Sequence, residues 1–161
     1  MTNKKIFFWI STVLAGFIFQ MFFSDVFSIS GIAPNFLLLG TIFCGINFGP
    51  VAGEWTGFVW GLFADVASIS IFGSQTFMLT LIGYLMGRLQ GKIDEEKPVA
   101  QLGLVLVMSF FFVLGLFALE NFFGGASQRF RLQNIIFQPI YSALISPILF
   151  WLLVRWCSWF H

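Results

Sequence analysis

The amino-acid sequence predicts an all-α integral membrane protein of six transmembrane helices, with both termini on the cytoplasmic side. Three observations predict it. The 161 residues are 58% hydrophobic and only 9% charged, with a mean hydropathy of +0.92, whereas soluble domains carry about 25% charged residues. Apolar stretches separated by short polar or Gly/Pro-containing breaks recur along the whole chain. In its middle, glycines fall at every fourth position: Gly45, Gly49, Gly53, Gly57 and Gly61, with Asp65 at the next step, then Gly83, Gly87 and Gly91. Residues four apart share a helix face, so each run is a stripe with almost no side chain. In water, glycine weakens a helix by about 0.8–1 kcal/mol per residue relative to alanine; in lipid, small residues at this spacing let helices approach closely. One polytopic membrane domain, residues 1–161, accounts for the length.

The first span covers residues 6–23, preceded by Lys4 and Lys5, with Phe7, Phe8 and Trp9 at the interface. At ~18 apolar residues it is too long for an ordinary signal-peptide core, and no A-x-A site follows, so a retained helix is expected. The second span, 34–48, opens on Pro34, whose missing N–H suits a first helical turn. Its ~15 residues cover ~22 Å, less than the ~30 Å hydrocarbon core. Gly49-Pro50 ends it and opens the third span, 50–67. A re-entrant hairpin over 34–67 is the alternative to two crossings, and the uncharged turn leaves charge distribution unable to separate them.

The fourth span is 74–89. The most hydrophilic stretch follows, with Lys92, Asp94, Glu95, Glu96 and Lys97. The fifth span, 102–119, carries no charge, and a polar loop from Glu120 to Asn134 leads to the sixth, 135–154. Pro147 removes the backbone bond to the Ala143 carbonyl, which predicts a kink there. Six spans place Lys4, Lys5, Arg88, Lys92, Lys97 and Arg155 on the inner side and only Arg129 and Arg131 on the outer side. That is a positive-inside bias, and Trp151, Trp156 and Trp159 then fall near the inner interface.

With Gly53 at 0° on the third span, Gly57 falls at about 40°, Gly61 at about 80°, Glu54 at about 100° and Asp65 at about 120°. Trp55, Val59 and Phe63 lie on the opposite, lipid-facing side. Gly53, Gly57, Gly61, Gly83 and Gly87 form the candidate helix-packing seam. Asp65, Glu120, Arg129 and Arg131 form a candidate polar cluster on the outer face, with a carboxylate bonded to an arginine; the alternative is ordinary interfacial charges that reach headgroups. The 24 phenylalanines read as lipid-facing and core packing.

Other chemistries lack material. The only histidine is His161, and there is no G-x-x-x-x-G-K loop, no H-E-x-x-H and no mid-membrane carboxylate. Cys44 and Cys157 are far apart in apolar stretches and read as packing. A formal charge of +1 provides no basic footprint for nucleic acid. No catalytic residue, cofactor or metal is expected, and a non-enzyme is the reading.

Pro34-Asn35-Phe36-Leu37-Leu38-Leu39, then Gly53-x-x-x-Gly57-x-x-x-Gly61-Leu62-x-x-Asp65, then Gly73 and Gly83-Tyr84-Leu85-x-Gly87-Arg88, in this order and spacing, resemble the rod shape-determining protein MreD family. The specific part covers about residues 34–91. This chain has Val66 to Phe72 where the family usually places a Gly- or Pro-containing turn. The resemblance implies a multi-pass scaffold of the bacterial inner membrane in the cell-elongation machinery. Its implied partners are the single-span protein MreC and, through the complex, MreB filaments and peptidoglycan synthases. The resemblance also implies a fold similar to the substrate-binding membrane subunits of energy-coupling-factor transporters. A vitamin-capturing subunit of such a transporter is the rival function, and an ion carrier is disfavoured by the missing carboxylates.

Overall fold

A computed structural model describes residues 16, 34–68, 71–91, 98–123 and 132–160. All regular structure among them is helical: α1 (Phe36–Phe48), α2 (Pro50–Ala67), α3 (Ser74–Arg88), α4 (Pro98–Phe122) and α5 (Leu132–Phe160). These correspond to the second through sixth predicted spans. The predicted first span lies outside the described residues except for Gly16, which is helical.

The shortest of the described helices lies at the centre. α1 is apolar on every side, and every residue from Phe36 to Ile46 is buried, as expected of a helix without a polar face. Its 13 residues rise only ~20 Å. It packs against α2, α3, α4 and α5. The one hydroxyl in its middle, Thr41, donates to the Leu37 carbonyl at 2.8 Å, so its burial leaves no polar group unpaired.

The helix begins at Phe36, two residues later than expected from Pro34. Asn35 is the reason: its side-chain oxygen accepts the Leu38 N–H at 3.0 Å and caps the first turn. Its own N–H donates to the Ser142 hydroxyl of α5 at 3.3 Å, which ties the start of α1 to the far hairpin.

Two turns need glycine for backbone reasons. Gly49 (φ +92°) separates α1 from α2, and its N–H closes on the Gly45 carbonyl at 2.9 Å. Gly73 (φ +95°) precedes α3 with open space where a Cβ would be, so conformation alone selects glycine there.

α4 and α5 pair with each other and close the bundle over α1 and α3. Both exceed their predicted bounds. α4 runs from Pro98 through Glu120 to Phe122, so Glu120 belongs to the helix and not to a loop. α5 starts at Leu132 and reaches Phe160. Helical structure continues through both Pro139 and Pro147. At Pro147 the Ser146 hydroxyl donates to the Ala143 carbonyl at 2.7 Å, replacing the N–H that proline lacks.

Among the described residues, two stretches, Leu102–Phe122 and Phe137–Arg155, are long and apolar enough to cross a membrane. Only 22% of the most apolar 18 residues of the first and 33% of those of the second are buried within the protein. The core helix of a soluble protein would be mostly buried; these two turn Val107, Phe111, Leu114, Leu144 and Ile148 outward instead. Faces of that kind suit a hydrocarbon solvent.

Candidate functional site

Among the described residues, the closest approach of two helices is a glycine seam between α2 and α3, which run antiparallel. Up α2 and down α3, Gly53 meets Gly83, Gly57 meets Leu79, and Gly61 meets Thr76. A Cβ built on Gly53 would collide with the Gly83 carbonyl, and one on Gly83 with the Gly53 carbonyl. At Gly57 the obstacle is the Leu79 carbonyl, and at Gly61 the Thr76 Cα. Each obstacle is backbone, which cannot rotate aside as a side chain can. Two helix backbones in direct contact gain dispersion along their length and bring Cα–H groups onto facing carbonyls.

α1 joins this seam at one point. A Cβ on Gly45 would lie 2.8 Å from the Gly83 carbonyl oxygen and 3.0 Å from the Met86 Cβ. One on Gly53 would lie 2.8 Å from the Gly45 Cα. Gly45, Gly53 and Gly83 therefore form a three-helix junction in which no member has room for a methyl group. Gly87 faces Pro50 at the adjoining end, so the α1–α2 turn rests on the last turn of α3. The Gln90 side-chain amide then donates to the Asn47 carbonyl at 3.1 Å and closes that end.

Asp65 closes the other end. It is 2% exposed. Its Oδ1 accepts the Gln75 N–H at 3.0 Å, and its Oδ2 accepts the Thr76 N–H at 2.9 Å and the Thr76 hydroxyl at 2.5 Å. These N–H groups belong to the first turn of α3, which has no intrahelical partners for them. Gly73, the N-cap, has no side chain to offer. A carboxylate on α2 thus serves as the missing cap of α3, where the positive end of the helix dipole favours it.

Of the predicted outer cluster, only Asp65 and Glu120 fall within the described residues. Asp65 is committed to α3, Glu120 lies half-buried on the last turn of α4, and Arg129 and Arg131 lie outside the described residues. Glu54, also predicted to border the stripe, is exposed. Trp55 and Phe63 point outward, and Val59 is half-buried.

Sequence reasoning missed Trp60, which is 3% exposed. Its indole occupies a slot between two helices: a Cβ on Gly40 would lie 2.5 Å from its Cζ3, and one on Gly16 2.5 Å from its Cζ2. The signal was present, since Trp60 lies about 20° from Gly53 on a helical wheel and so on the glycine face. Met78 similarly presses its Sδ onto Gly115 of α4, where a Cβ would lie 2.6 Å away.

The site is a set of backbone contacts closed at each end by polar bonds, and such an arrangement fixes helices relative to one another. The model of the rod shape-determining protein MreD family matches residues 2–159 of the 161-residue chain. No curated protein and no solved structure matches it.

Proposed function

The chain belongs to the rod shape-determining protein MreD family, and from that premise we propose that it is a non-catalytic membrane scaffold of the cell-elongation complex. Family membership gives a role in rod shape determination, in a family of shape-determining structural proteins. The finer reading is that the chain spans the bacterial inner membrane six times with both termini inside. There it binds MreC and helps couple MreB filaments to peptidoglycan synthases.

The match across 2–159 carries this reading. The glycine seam supports it physically. A scaffold transmits position and force, and helices locked backbone to backbone deform less than helices joined through flexible side chains.

Co-purification from membranes of cells depleted of the native copy tests it. The chain should retain MreC through detergent extraction and restore rods. Rods that persist without it, or a chain that retains no MreC, overturn the scaffold reading. Saturable vitamin binding by the purified chain would favour the transport-subunit rival.

A further inference from the structure

We infer that Arg88 and Tyr84, at the end of α3, form a binding site for the phosphate of an anionic phospholipid headgroup. The inference rests on the membrane-spanning reading. Arg88 is exposed, and its Nε and Nη2 both donate to the Tyr84 hydroxyl oxygen, at 2.9 and 2.7 Å. The guanidinium carbon lies 5.3 Å from the Tyr84 ring centroid. The acceptor is neutral, so the pair keeps a full positive charge, and among the described residues no carboxylate faces Arg88. Of the five guanidinium N–H groups, about three remain to donate. The phenol, whose oxygen is occupied by Arg88, offers its own O–H as a further donor. The pair is thus a fixed cluster of donors around one charge, and a tetrahedral phosphate accepts such a cluster.

The position selects a lipid phosphate. An arginine near a membrane boundary ordinarily extends away from the apolar region. Here the side chain folds back one turn onto Tyr84, so the charge sits level with the aromatic ring at the end of an apolar helix. Tyrosine rings occupy that interfacial depth, where headgroup phosphates lie. Among the described residues, the neighbouring groups are engaged elsewhere: the Gln90 amide is held by the Asn47 carbonyl, and the Leu89 and Gln90 N–H groups are held by the Met86 and Gly87 carbonyls. A zwitterionic headgroup would bring a cation against the guanidinium, so anionic lipid is selected. Arg155 stacks on Trp151 at 5.9 Å in the same four-residue spacing on α5. That pair, which has an indole in place of the phenol, serves as the comparison.

Native mass spectrometry of the full chain in detergent, titrated with phosphatidylglycerol or phosphatidylcholine, tests the site. The wild-type chain should prefer phosphatidylglycerol. Arg88→Gln should weaken that binding about tenfold, the scale of one lost charge-assisted contact. Tyr84→Phe should weaken it by about threefold, since the charge stays but loses its orientation, and Arg155→Gln should change it less than Arg88→Gln does. Unchanged phosphatidylglycerol affinity in Arg88→Gln overturns the proposal, as does equal binding of both lipids. Displacement of the lipid by millimolar inorganic phosphate also overturns it, because the site would then be a small-anion site. Release of the wild-type chain from membranes by alkaline carbonate would instead overturn the membrane reading on which the site rests.

Discussion

Asp65 shows how one side chain can hold two helices. Its burial would be costly for an isolated carboxylate, but three donors from the start of α3 meet it. Asp65→Asn keeps the shape and puts an NH2 group against a donor. One first-turn N–H then loses its acceptor, and the charge-assisted character of the others is gone. The expected loss is about 2–3 kcal/mol, measured as a fall in the thermal midpoint of the purified protein in detergent. Thr76→Val keeps both backbone donors and removes only the hydroxyl bond, so it should cost about half as much. A midpoint for Asp65→Asn equal to wild type would show that the carboxylate does not hold α3.

At the scale of the element, the seam is decided by what stands opposite each glycine. Gly57→Leu sets a branched side chain against the Leu79 carbonyl, so α2 and α3 must part. Loss of accumulation in membranes and of co-purifying MreC is expected, whereas Phe63→Leu on the exposed face of α2 should accumulate normally. Gly57→Leu protein that accumulates and still holds MreC would refute the seam. On α5 the critical element is the proline repair. Ser146→Ala leaves the Ala143 carbonyl without the hydroxyl bond of 2.7 Å. It should lower stability by about 1 kcal/mol, visible as a small fall in thermal midpoint that Ser146→Thr, which retains a hydroxyl, does not show.

For the molecule as a whole, the arrangement sorts tryptophans by solvent. Trp55 and Trp151 are each 64% exposed, and Trp60 is enclosed between Gly16 and Gly40. Single-tryptophan variants reconstituted in vesicles containing brominated lipids should separate accordingly. Trp55 and Trp151 should be quenched and Trp60 spared. Strong quenching of Trp60 would mean that lipid, not the glycine slot, surrounds it. The same division explains why the centre of the bundle is the shortest of the described helices. α1 is sheathed by the other helices, so neighbours and not lipid solvate its sides, and its length need not match the hydrocarbon thickness.

Helix type and approximate position were legible from the sequence because apolar runs and Gly/Pro breaks are local signals. Gly49-Pro50 marked the α1–α2 turn, and the four-residue spacing put Gly53, Gly57 and Gly61 on one face. Boundaries were less legible where a polar residue lies inside a helix: Glu120 looks like a loop residue, yet its position at the end of α4 lets the helix continue. Partners were not legible at all. The wheel places Asp65 beside the glycine stripe, but nothing local says that its donors are the first N–H groups of α3. Nor does it say that Trp60 will enter a slot made by glycines at positions 16 and 40.

The amino-acid sequence by itself determined that this chain is helical, apolar and built around small residues, since composition and periodicity follow from each residue's own chemistry. The tertiary structure alone decided which backbones those glycines admit. The antiparallel register that brings Gly53 onto Gly83, with Gly45 beside them, depends on steric fit between segments far apart in the chain. Fit of that kind is a property of pairs of surfaces, and no single helix carries it.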